Sequence, residues 1–270
     1  MAFDLKAVEA GIAGTEFAGR VTYFPTVEST NTLALEAAQV GLRDGVWVAD
    51  EQTAGRGRGG HAWHSAIGDG LYMSTLVAPS LPISAALLIS LATGLAARTA
   101  IAESTGLSVD IRWPNDLLVH GKKCGGILVE TAISPPKAPE TESTLRYAVI
   151  GVGINLNHSV FPIEIAQLAT SLRIEIGHTV SRESVLIALL RALSDQLWLL
   201  SEEIRGRHQN PGLLHRFAEA SSWVFGKRVR VEEGGGYTGV TAGLDARGFL
   251  LVDSENGVRR TVLSGGVREL

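Results

Sequence analysis

The sequence is poor in cysteine and in long uninterrupted apolar runs. Its one cysteine in 270 residues, Cys124, excludes an internal disulfide framework and fits a reducing compartment. The first twenty residues contain Asp4, Glu9 and Glu16 and no continuous apolar stretch, so they lack the pattern of an export signal. The most apolar stretch, residues 81–97, contains serine and threonine and is shorter than the ~18 residues of a membrane-spanning helix. We therefore expect a cytoplasmic protein that does not bind membranes.

Lysine is also scarce. The chain has 24 lysines and arginines against 28 aspartates and glutamates, which gives a formal net charge of −4. This balance argues against a protein whose main task is to coat nucleic acid or an anionic membrane. Most of the basic residues are arginines, and lysine occurs at Lys6, Lys122, Lys123, Lys137 and Lys227. Two of these lysines stand side by side in the most motif-rich part of the chain.

Apolar patterning predicts a mixed α+β domain. Short apolar segments alternate with amphipathic ones, and no fixed repeat is present. Strands are predicted over residues 46–50, 71–77, 109–113, 126–131 and 148–154. Helices are predicted over residues 29–40, 81–103, 181–204 and 213–220, and a surface loop rich in Pro, Ser and Glu over residues 132–144.

The pattern changes after residue 220. Short alternating strands, separated by glycine-rich turns, are predicted over residues 227–231, 238–244, 249–252 and 258–263. Such spacing is typical of a small β-barrel of about fifty residues. We therefore predict two domains, residues 1–220 with a mixed sheet and packed helices, and residues 221–270 with an SH3-like barrel.

The first candidate site segment is a loop of alternating glycine and arginine, residues 55–60, directly after a predicted strand. Backbone N–H groups of such a loop can converge on an anion while guanidinium groups clamp it. A disordered or RNA-binding loop has the same composition. The buried strand before it favours an anion site, and so does Trp63 after it, which could stack on a base.

The second segment, Arg112-Trp113-Pro114-Asn115-Asp116, closes another strand. Pro114 fixes a turn, and Asn115 and Asp116 then project from a strand end, where α/β sites tend to assemble. Pro-Asn-Asp also makes a good β-turn without any function. This segment alone favours the simple turn.

Two further segments carry lysine, glycine and asparagine next to buried strands. Lys123 precedes two glycines and an apolar strand, which suits either a pocket rim or a hairpin with solvated lysines. Residues 151–157 contain two glycines that permit close approach of a ligand, with Asn155 able to contact a base edge. The third glycine of a dinucleotide-binding fingerprint is absent.

Together these segments resemble the biotin protein ligases. Their order and spacing match that family from about Ser29 onward through the C-terminal strands, including Ser29-Thr30-Asn31 and Gln52. The most specific features are the Gly-Arg-Gly-Arg-Gly-Gly loop and the Trp-Pro-Asn-Asp turn at this separation. The resemblance implies the class II synthetase-like fold of biotin and lipoate ligases.

The resemblance also implies an activity. Such enzymes activate biotin with ATP, accompanied by Mg²⁺, to biotinyl-5′-AMP and transfer it to a lysine of the biotin carboxyl carrier domain of acetyl-CoA carboxylase or a related carboxylase. About twenty-eight residues precede Ser29, roughly half of what a winged-helix DNA-binding domain needs, so we expect a monofunctional enzyme that does not bind DNA. The resemblance leaves open whether the protein forms a homodimer, and it assigns no metal ligands.

Site residues follow from the same resemblance. The implied biotin-binding residues are Ser29, Thr30, Asn31, Gln52, Arg56, Gly57, Arg58 and Lys123. The implied ATP-binding residues are Gly55, Arg56, Arg58, Trp63, Arg112, Asn115 and Asn155. The implied catalytic residues are Lys123, Arg58, Arg56 and Asp116. Within this set, Lys123 contacts the biotin carboxylate, Trp63 supports the adenine, and Asp116 orients groups near the metal-bound phosphates.

The chain departs from the family pattern in places, and other functions remain open. Arg112 stands where lysine is common, and Gly59 and His61 stand where some members have further arginines, which predicts a weaker phosphate grip. The alternatives are a lipoate ligase or lipoyl/octanoyl transferase, a non-catalytic biotin sensor and an RNA-binding protein. The two most specific motifs favour the biotin enzyme.

Overall fold

A computed structural model describes residues 3–135, 142–207, 211–264 and 266–270. The larger sheet has seven strands, β1 (Val21–Val27), β2 (Gly45–Gln52), β3 (Gly70–Val77), β4 (Asp110–Arg112), β5 (Asp116–Val119), β6 (Lys122–Ser134) and β7 (Thr144–Asn155). Their order is β1-β2-β3-β7-β6-β5-β4. β1 and β2 are parallel and the other neighbours are antiparallel, which confirms the predicted mixed sheet.

Six α-helices lie among the described residues, namely α1 (Leu5–Gly11), α2 (Thr30–Gln39), α3 (Ala86–Thr105), α4 (Leu172–Ile176), α5 (Arg182–Ile204) and α6 (Leu213–Glu219). Four of them, α2, α3, α5 and α6, lie close to their predicted positions. Ser29 and Ser181 cap α2 and α5, each by accepting a hydrogen bond from the backbone N–H three residues later. The cap at Ser29 directs the N-terminus of α2 toward the candidate site.

Two helical stretches, residues 83–105 and 182–204, are long and apolar enough to cross a membrane by length and composition alone. Of their most apolar windows, 67% and 50% are buried inside the protein. The core helices of a water-soluble protein have the same composition, so this feature by itself is weak evidence for a membrane span. In this fold the first of them packs between the sheet and the other helices.

Several element bounds differ from the prediction. β6 runs from Lys122 to Ser134, further at both ends than expected, so the loop between β6 and β7 is shorter. The central part of that loop, residues 136–141, lies outside the described residues. Sequence patterning also missed α1, α4, β1, β5 and β12 (Val267–Glu269), which are short or irregular in composition.

The C-terminal region forms a five-stranded antiparallel sheet. Its strands are β8 (Phe225–Val231), β9 (Tyr237–Leu244), β10 (Leu250–Ser254), β11 (Arg259–Val262) and β12, in the order β11-β10-β9-β8-β12. Among the described residues no ladder joins β11 to β12. The boundary at residue 220 stays a prediction.

Candidate functional site

A cleft of about 450 Å³, including the open space at its mouth, lies over the middle of the larger sheet. Its walls are the start of α2, the end of β2, the facing parts of β6 and β7, and the glycine–arginine loop. It brings together most of the residues expected from the sequence, namely Ser29, Thr30, Asn31, Gln52, Arg56, Gly57, Arg58, Trp63, Asn115 and Lys123. These residues come from three separate segments of the chain, residues 29–31, 52–63 and 115–123.

One end of the cleft is lined by neutral hydrogen-bonding groups. Gln52 Oε1 accepts from the backbone N–H of Thr30 at 2.9 Å and from its hydroxyl at 3.1 Å, and Gln52 Nε2 donates to Ser65 Oγ at 3.1 Å. The buried hydroxyl of Ser74 lies within hydrogen-bond distance of both Thr30 Oγ1 and Asn31 Oδ1. A chain of paired donors and acceptors of this kind suits a neutral ligand such as a urea.

The floor of the cleft contains glycines at positions where neighbouring side chains lie so close to the backbone that a Cβ atom would not fit. A Cβ atom on Gly151 would overlap the amide of Asn31, and one on Gly153 would lie 2.6 Å from the indole of Trp63. Gly126 supports the same indole, with only 3.0 Å between an added Cβ and the ring. The glycines predicted to allow close approach therefore do so, and the groups they accommodate here are protein side chains.

The glycine–arginine loop is a short hairpin. The backbone N–H of Gly57 donates to the carbonyl oxygen of His61 at 2.7 Å. The backbone N–H of Trp63 donates to the carbonyl oxygen of Gly55, a buried residue, at 2.9 Å. Gly59 and Gly60 at its tip have φ of 68° and 80°, which glycine adopts without strain. Gly55 thus has a backbone role and does not line the cleft.

The opposite end of the cleft is cationic. Lys123 Nζ lies 2.5 Å from Asp116 Oδ1 and 5.4 Å from the centre of the Trp63 ring. Arg112 donates to the other oxygen of Asp116 through Nε and Nη2. Burial raises the pKa of Asp116, but Lys123 and Arg112 outweigh that effect and hold the pKa below its ordinary value. Asp116 is therefore an anion that orients two cations.

A β-bulge aims Lys123 at the cleft. The register between β5 and β6 shifts between Leu117 and Leu118, where Leu118 pairs with Lys123 and Leu117 with Gly125. The extra residue, Cys124, is buried, and Lys123 then shares a face with Gly126 instead of following strict alternation. The neighbouring Lys122 is exposed.

Among the described residues, Arg58 Nη1 and Trp63 Nε1 are two polar groups in the cleft that are buried and have no hydrogen-bond partner. Burial lowers the pKa of the Arg58 guanidinium, while Asp116 and Glu233 oppose that effect. Unsatisfied buried donors are costly, and most of those in native structures have a partner. Both donors therefore mark the place where a ligand with acceptor atoms would bind.

Asn115 and Asn155 have different positions. The Asn115 amide lines the cleft and donates to the backbone carbonyl of Ile127 at 2.9 Å. Asn155 lies beneath the surface, 5% exposed, and its amide donates to the carbonyl of Thr170 at 3.0 Å. In this conformation Asn155 supports the segment beside Lys123 and does not face the cleft.

Arg112 and Asp116 line a second, wider part of the cleft, about 1200 Å³ with its open space, which lies against the C-terminal sheet. Glu232, Ser264 and Arg268 form the far wall. Arg58, Trp63, Asn115 and Lys123 border both parts. The C-terminal residues were not expected at the site, because nothing in their local pattern distinguishes them from a solvated strand end.

Comparison with known proteins identifies the family. Residues 23–155 match the biotin/lipoate A/B protein ligase family, and residues 224–267 match the biotin protein ligase C-terminal domain. The bifunctional ligase/repressor BirA of Bacillus subtilis is 33% identical over 91% of this chain and 73% of its own length. The chain belongs to the biotin protein ligase family.

Other relatives agree with this assignment. The biotin–[acetyl-CoA-carboxylase] ligase of Mycobacterium tuberculosis is 34% identical over 88% of this chain and 84% of its own length. The solved structure of the Aquifex aeolicus biotin protein ligase in complex with biotin and ATP superposes with a TM-score of 0.74 and 27% identity, covering 93% of this chain and 100% of the other. The fold expected from the sequence is thereby confirmed.

The described residues do not group three or more histidine, cysteine, aspartate or glutamate side chains as a metal site would. Asp116, the carboxylate expected near the phosphates, has both oxygens bonded to Lys123 and Arg112. This arrangement does not fit a resident metal. The cationic end instead suits the phosphates of a nucleotide.

Proposed function

We propose that this member of the biotin protein ligase family activates biotin with Mg-ATP and transfers it to a lysine of a biotin carboxyl carrier domain. In the first step the biotin carboxylate attacks the α-phosphate, and pyrophosphate leaves as biotinyl-5′-AMP forms. In the second step the neutral amine of the acceptor lysine attacks the mixed anhydride, loses a proton, and AMP leaves.

The observation that carries this proposal is the polarity of the cleft. Its neutral end, built on Thr30 and Gln52, is suited to the ureido ring of biotin. Its cationic end, with Lys123 and the guanidinium of Arg58, whose buried Nη1 has no partner among the described residues, is suited to the carboxylate and the phosphate that react. One elongated ligand with a urea at one end and an anion at the other satisfies both.

The residues of the cationic end act without forming a covalent bond to the substrate. Both steps develop negative charge on oxygen, and fixed cations stabilise such charge most where water is excluded. Lys123 and Arg58 supply those cations, and Asp116 keeps Lys123 in place. Ser29 caps α2 and has no base beside it among its bonded neighbours, so it binds rather than attacks.

A lipoate or octanoate ligase would use the same fold, and the cleft argues against it. An apolar acyl chain would leave the buried network of Thr30, Ser74 and Gln52 without a polar ligand. Burying polar groups against an apolar chain disfavours binding. The neutral end of the cleft therefore selects biotin.

Pyrophosphate exchange into ATP tests the assignment. We expect Mg-dependent exchange that biotin stimulates and that lipoate and octanoate do not, because exchange requires reversible formation of the acyl adenylate. The same preparation with a purified biotin carboxyl carrier domain should then label one lysine of that domain. Equal stimulation by lipoate would overturn the choice of substrate.

A further inference from the structure

Glu130 lies between two parts of the cleft that come from distant segments of the chain. It is a residue of β6, where it pairs with Val149 of β7. Its Oε2 atom accepts from Asn31 Nδ2 at 2.9 Å and from Arg56 Nη2 at 2.7 Å. The first partner belongs to the neutral end of the cleft and the second to the hairpin. The sequence analysis assigned Glu130 no role at the site.

The contact with Glu130 determines which way the side-chain amide of Asn31 is oriented in the hydrogen-bond network at the neutral end of the cleft. A carboxylate only accepts hydrogen bonds, so the amide nitrogen of Asn31 must face Glu130 and its oxygen must face the hydroxyl of Ser74. Rotating the amide by 180° would place oxygen against oxygen at Glu130. The orientation of Asn31, and through Ser74 that of the hydroxyl groups behind it, therefore depends on this carboxylate.

The contact with Arg56 holds the hairpin. Arg56 pairs with Ala62 across the hairpin, so an ion pair at Arg56 ties the hairpin to β6. Arg58, two residues further on, has a buried nitrogen in the cleft with no partner. The two arginines thus differ, since the side chain of Arg56 is engaged by Glu130 and the buried nitrogen of Arg58 is available to a ligand.

We propose that Glu130 is a positioning residue that joins the biotin side of the cleft to the hairpin. One carboxylate orients the Asn31 amide for the ureido ring and keeps the hairpin over the bound ligand. This inference rests on the proposed function. Glu130 does not touch the reacting atoms, so it acts on biotin binding and on retention of the adenylate.

Glu130→Gln tests this role with little change in size. The variant weakens the contact with Arg56 and removes the constraint on the Asn31 amide. Hydrogen bonds to charged groups contribute about 1.5–3 kcal/mol, so we expect KM for biotin in pyrophosphate exchange to rise about ten-fold or more. The kcat should change less than about three-fold, because the cations at the reacting end are intact. Pre-formed biotinyl-AMP should leave the variant faster than the wild type.

Glu202→Gln is the matched control. Glu202 pairs with Arg205 at 3.0 Å on α5, with side chains 18% and 49% exposed, close to the 29% and 43% of Glu130 and Arg56. Its KM for biotin should equal that of the wild type. A merely structural role for Glu130 would lower the melting temperature and the active fraction in Glu130→Gln while leaving KM unchanged.

A double-mutant cycle with Arg56→Gln completes the test. If Glu130 acts through Arg56, the double variant should be no worse than the worse single variant in adenylate retention. A wild-type KM and wild-type retention in Glu130→Gln would overturn the inference, whereas a wild type without biotin-stimulated exchange would overturn the proposed function. Should Glu130→Gln fail to fold, Glu130→Asp, one methylene shorter, must still raise KM for biotin by at least about three-fold.

Discussion

At the scale of single residues, Lys123 lies between the Asp116 carboxylate and the face of Trp63. The salt bridge and the ring fix the ammonium at the cationic end of the cleft, with one-third of the side chain exposed. A cation held this way needs no reorganisation when charge develops on the substrate. Lys123 is therefore the residue on which adenylation should depend most.

Lys123→Ala should leave the fold intact and cripple adenylation. Asp116 keeps Arg112 as a partner, so no buried carboxylate is left uncompensated. Losing one preorganised donor to developing charge typically costs about 2.7–4 kcal/mol, or ~10²–10³ in rate. Single-turnover formation of biotinyl-AMP measures the loss, and circular dichroism checks the fold.

The adjacent Lys122 supplies the control for that variant. Lys122 is exposed and does not line the cleft. Lys122→Ala should therefore react at nearly the wild-type rate. Comparable losses in the two variants would mean that the strand end as a whole, and not the Lys123 ammonium, supports the reaction.

Residue types in the cleft were predictable from sequence, and their contacts were not. Lys123 and Arg58 were named because their segments resemble those of the biotin protein ligases. The motifs could not show that Asn155 lies beneath Thr170, because that depends on how a distant segment covers the end of β7. Glu130 went unassigned for the same reason, since its two partners come from other parts of the chain.

At the scale of elements, the hairpin of residues 55–63 combines a fixed base with a tip that only glycine tolerates. Its base is joined by the hydrogen bond from Trp63 N–H to Gly55 O, and its tip turns at Gly59 and Gly60 with positive φ. Further arginines at the tip would meet backbone strain. Of the two positions where some members of the family have arginine, Gly59 lies in this turn, whereas His61 has an extended backbone that any residue adopts.

Arg58→Gly should release the intermediate early. The substitution removes the unpartnered guanidinium that suits the phosphate of biotinyl-AMP, and it raises the conformational freedom of the unliganded hairpin. Adenylate formation should suffer less than retention, so free biotinyl-AMP labels bystander proteins. A chase of pre-formed, labelled biotinyl-AMP with albumin present measures both effects.

His61→Ala is a suitable control in the same hairpin. The His61 contact that closes the hairpin is made by its backbone carbonyl, so the side chain is dispensable for the turn. The His61→Ala variant should retain biotinyl-AMP for as long as the wild type does. If Arg58→Gly retains the intermediate as long as the wild type and labels no albumin, Arg58 does not hold the phosphate.

The elements that sequence patterning missed have physical reasons. β1 contains Pro25, which usually argues against a strand, but β1 lies at the edge of the sheet, where proline is tolerated. β5 has four residues and follows directly on the Pro-Asn-Asp turn, so its composition indicates a turn. The two long helices, α3 and α5, were predictable because each is a continuous stretch of 20 or more residues that is rich in apolar residues and free of proline.

At the scale of the whole molecule, Trp113 connects the site to the C-terminal sheet. Its ring is 2% exposed, and its Nε1 donates to the carbonyl of Gly248 at 2.9 Å. Gly248 itself lies so close to α3 that an added Cβ would meet Leu91 at 2.9 Å. The turn that presents Asn115 and Asp116 to the cleft is thus fixed from behind by the C-terminal region.

Trp113→Phe should destabilise the protein and impair the site together. The buried carbonyl of Gly248 would lose its partner, which costs about 1–3 kcal/mol, with a further loss from the smaller ring. Urea unfolding measures the stability, and pyrophosphate exchange at a temperature well below the transition measures the site. Trp198→Phe, at a tryptophan 62% exposed on α5, should stay within about 0.5 kcal/mol of the wild type. Equal stability of the two variants would show that the C-terminal region does not support the turn.

The ion pair between Lys123 and Asp116 also bears on whether the protein acylates its own lysines. On the proposed chemistry the protein holds an anhydride that acylates any neutral amine within reach, including its own. Of its 270 residues only five are lysines, and the one at the reacting end is engaged as a cation by Asp116, in which form it is not a nucleophile. At position 112, where lysine is common in the family, the guanidinium of Arg112 stays protonated and unreactive. Most of the positive charge of this chain is on arginine, and arginine has no amine that the anhydride could acylate. The protein can therefore hold a reactive acyl group with few lysines of its own that could be labelled.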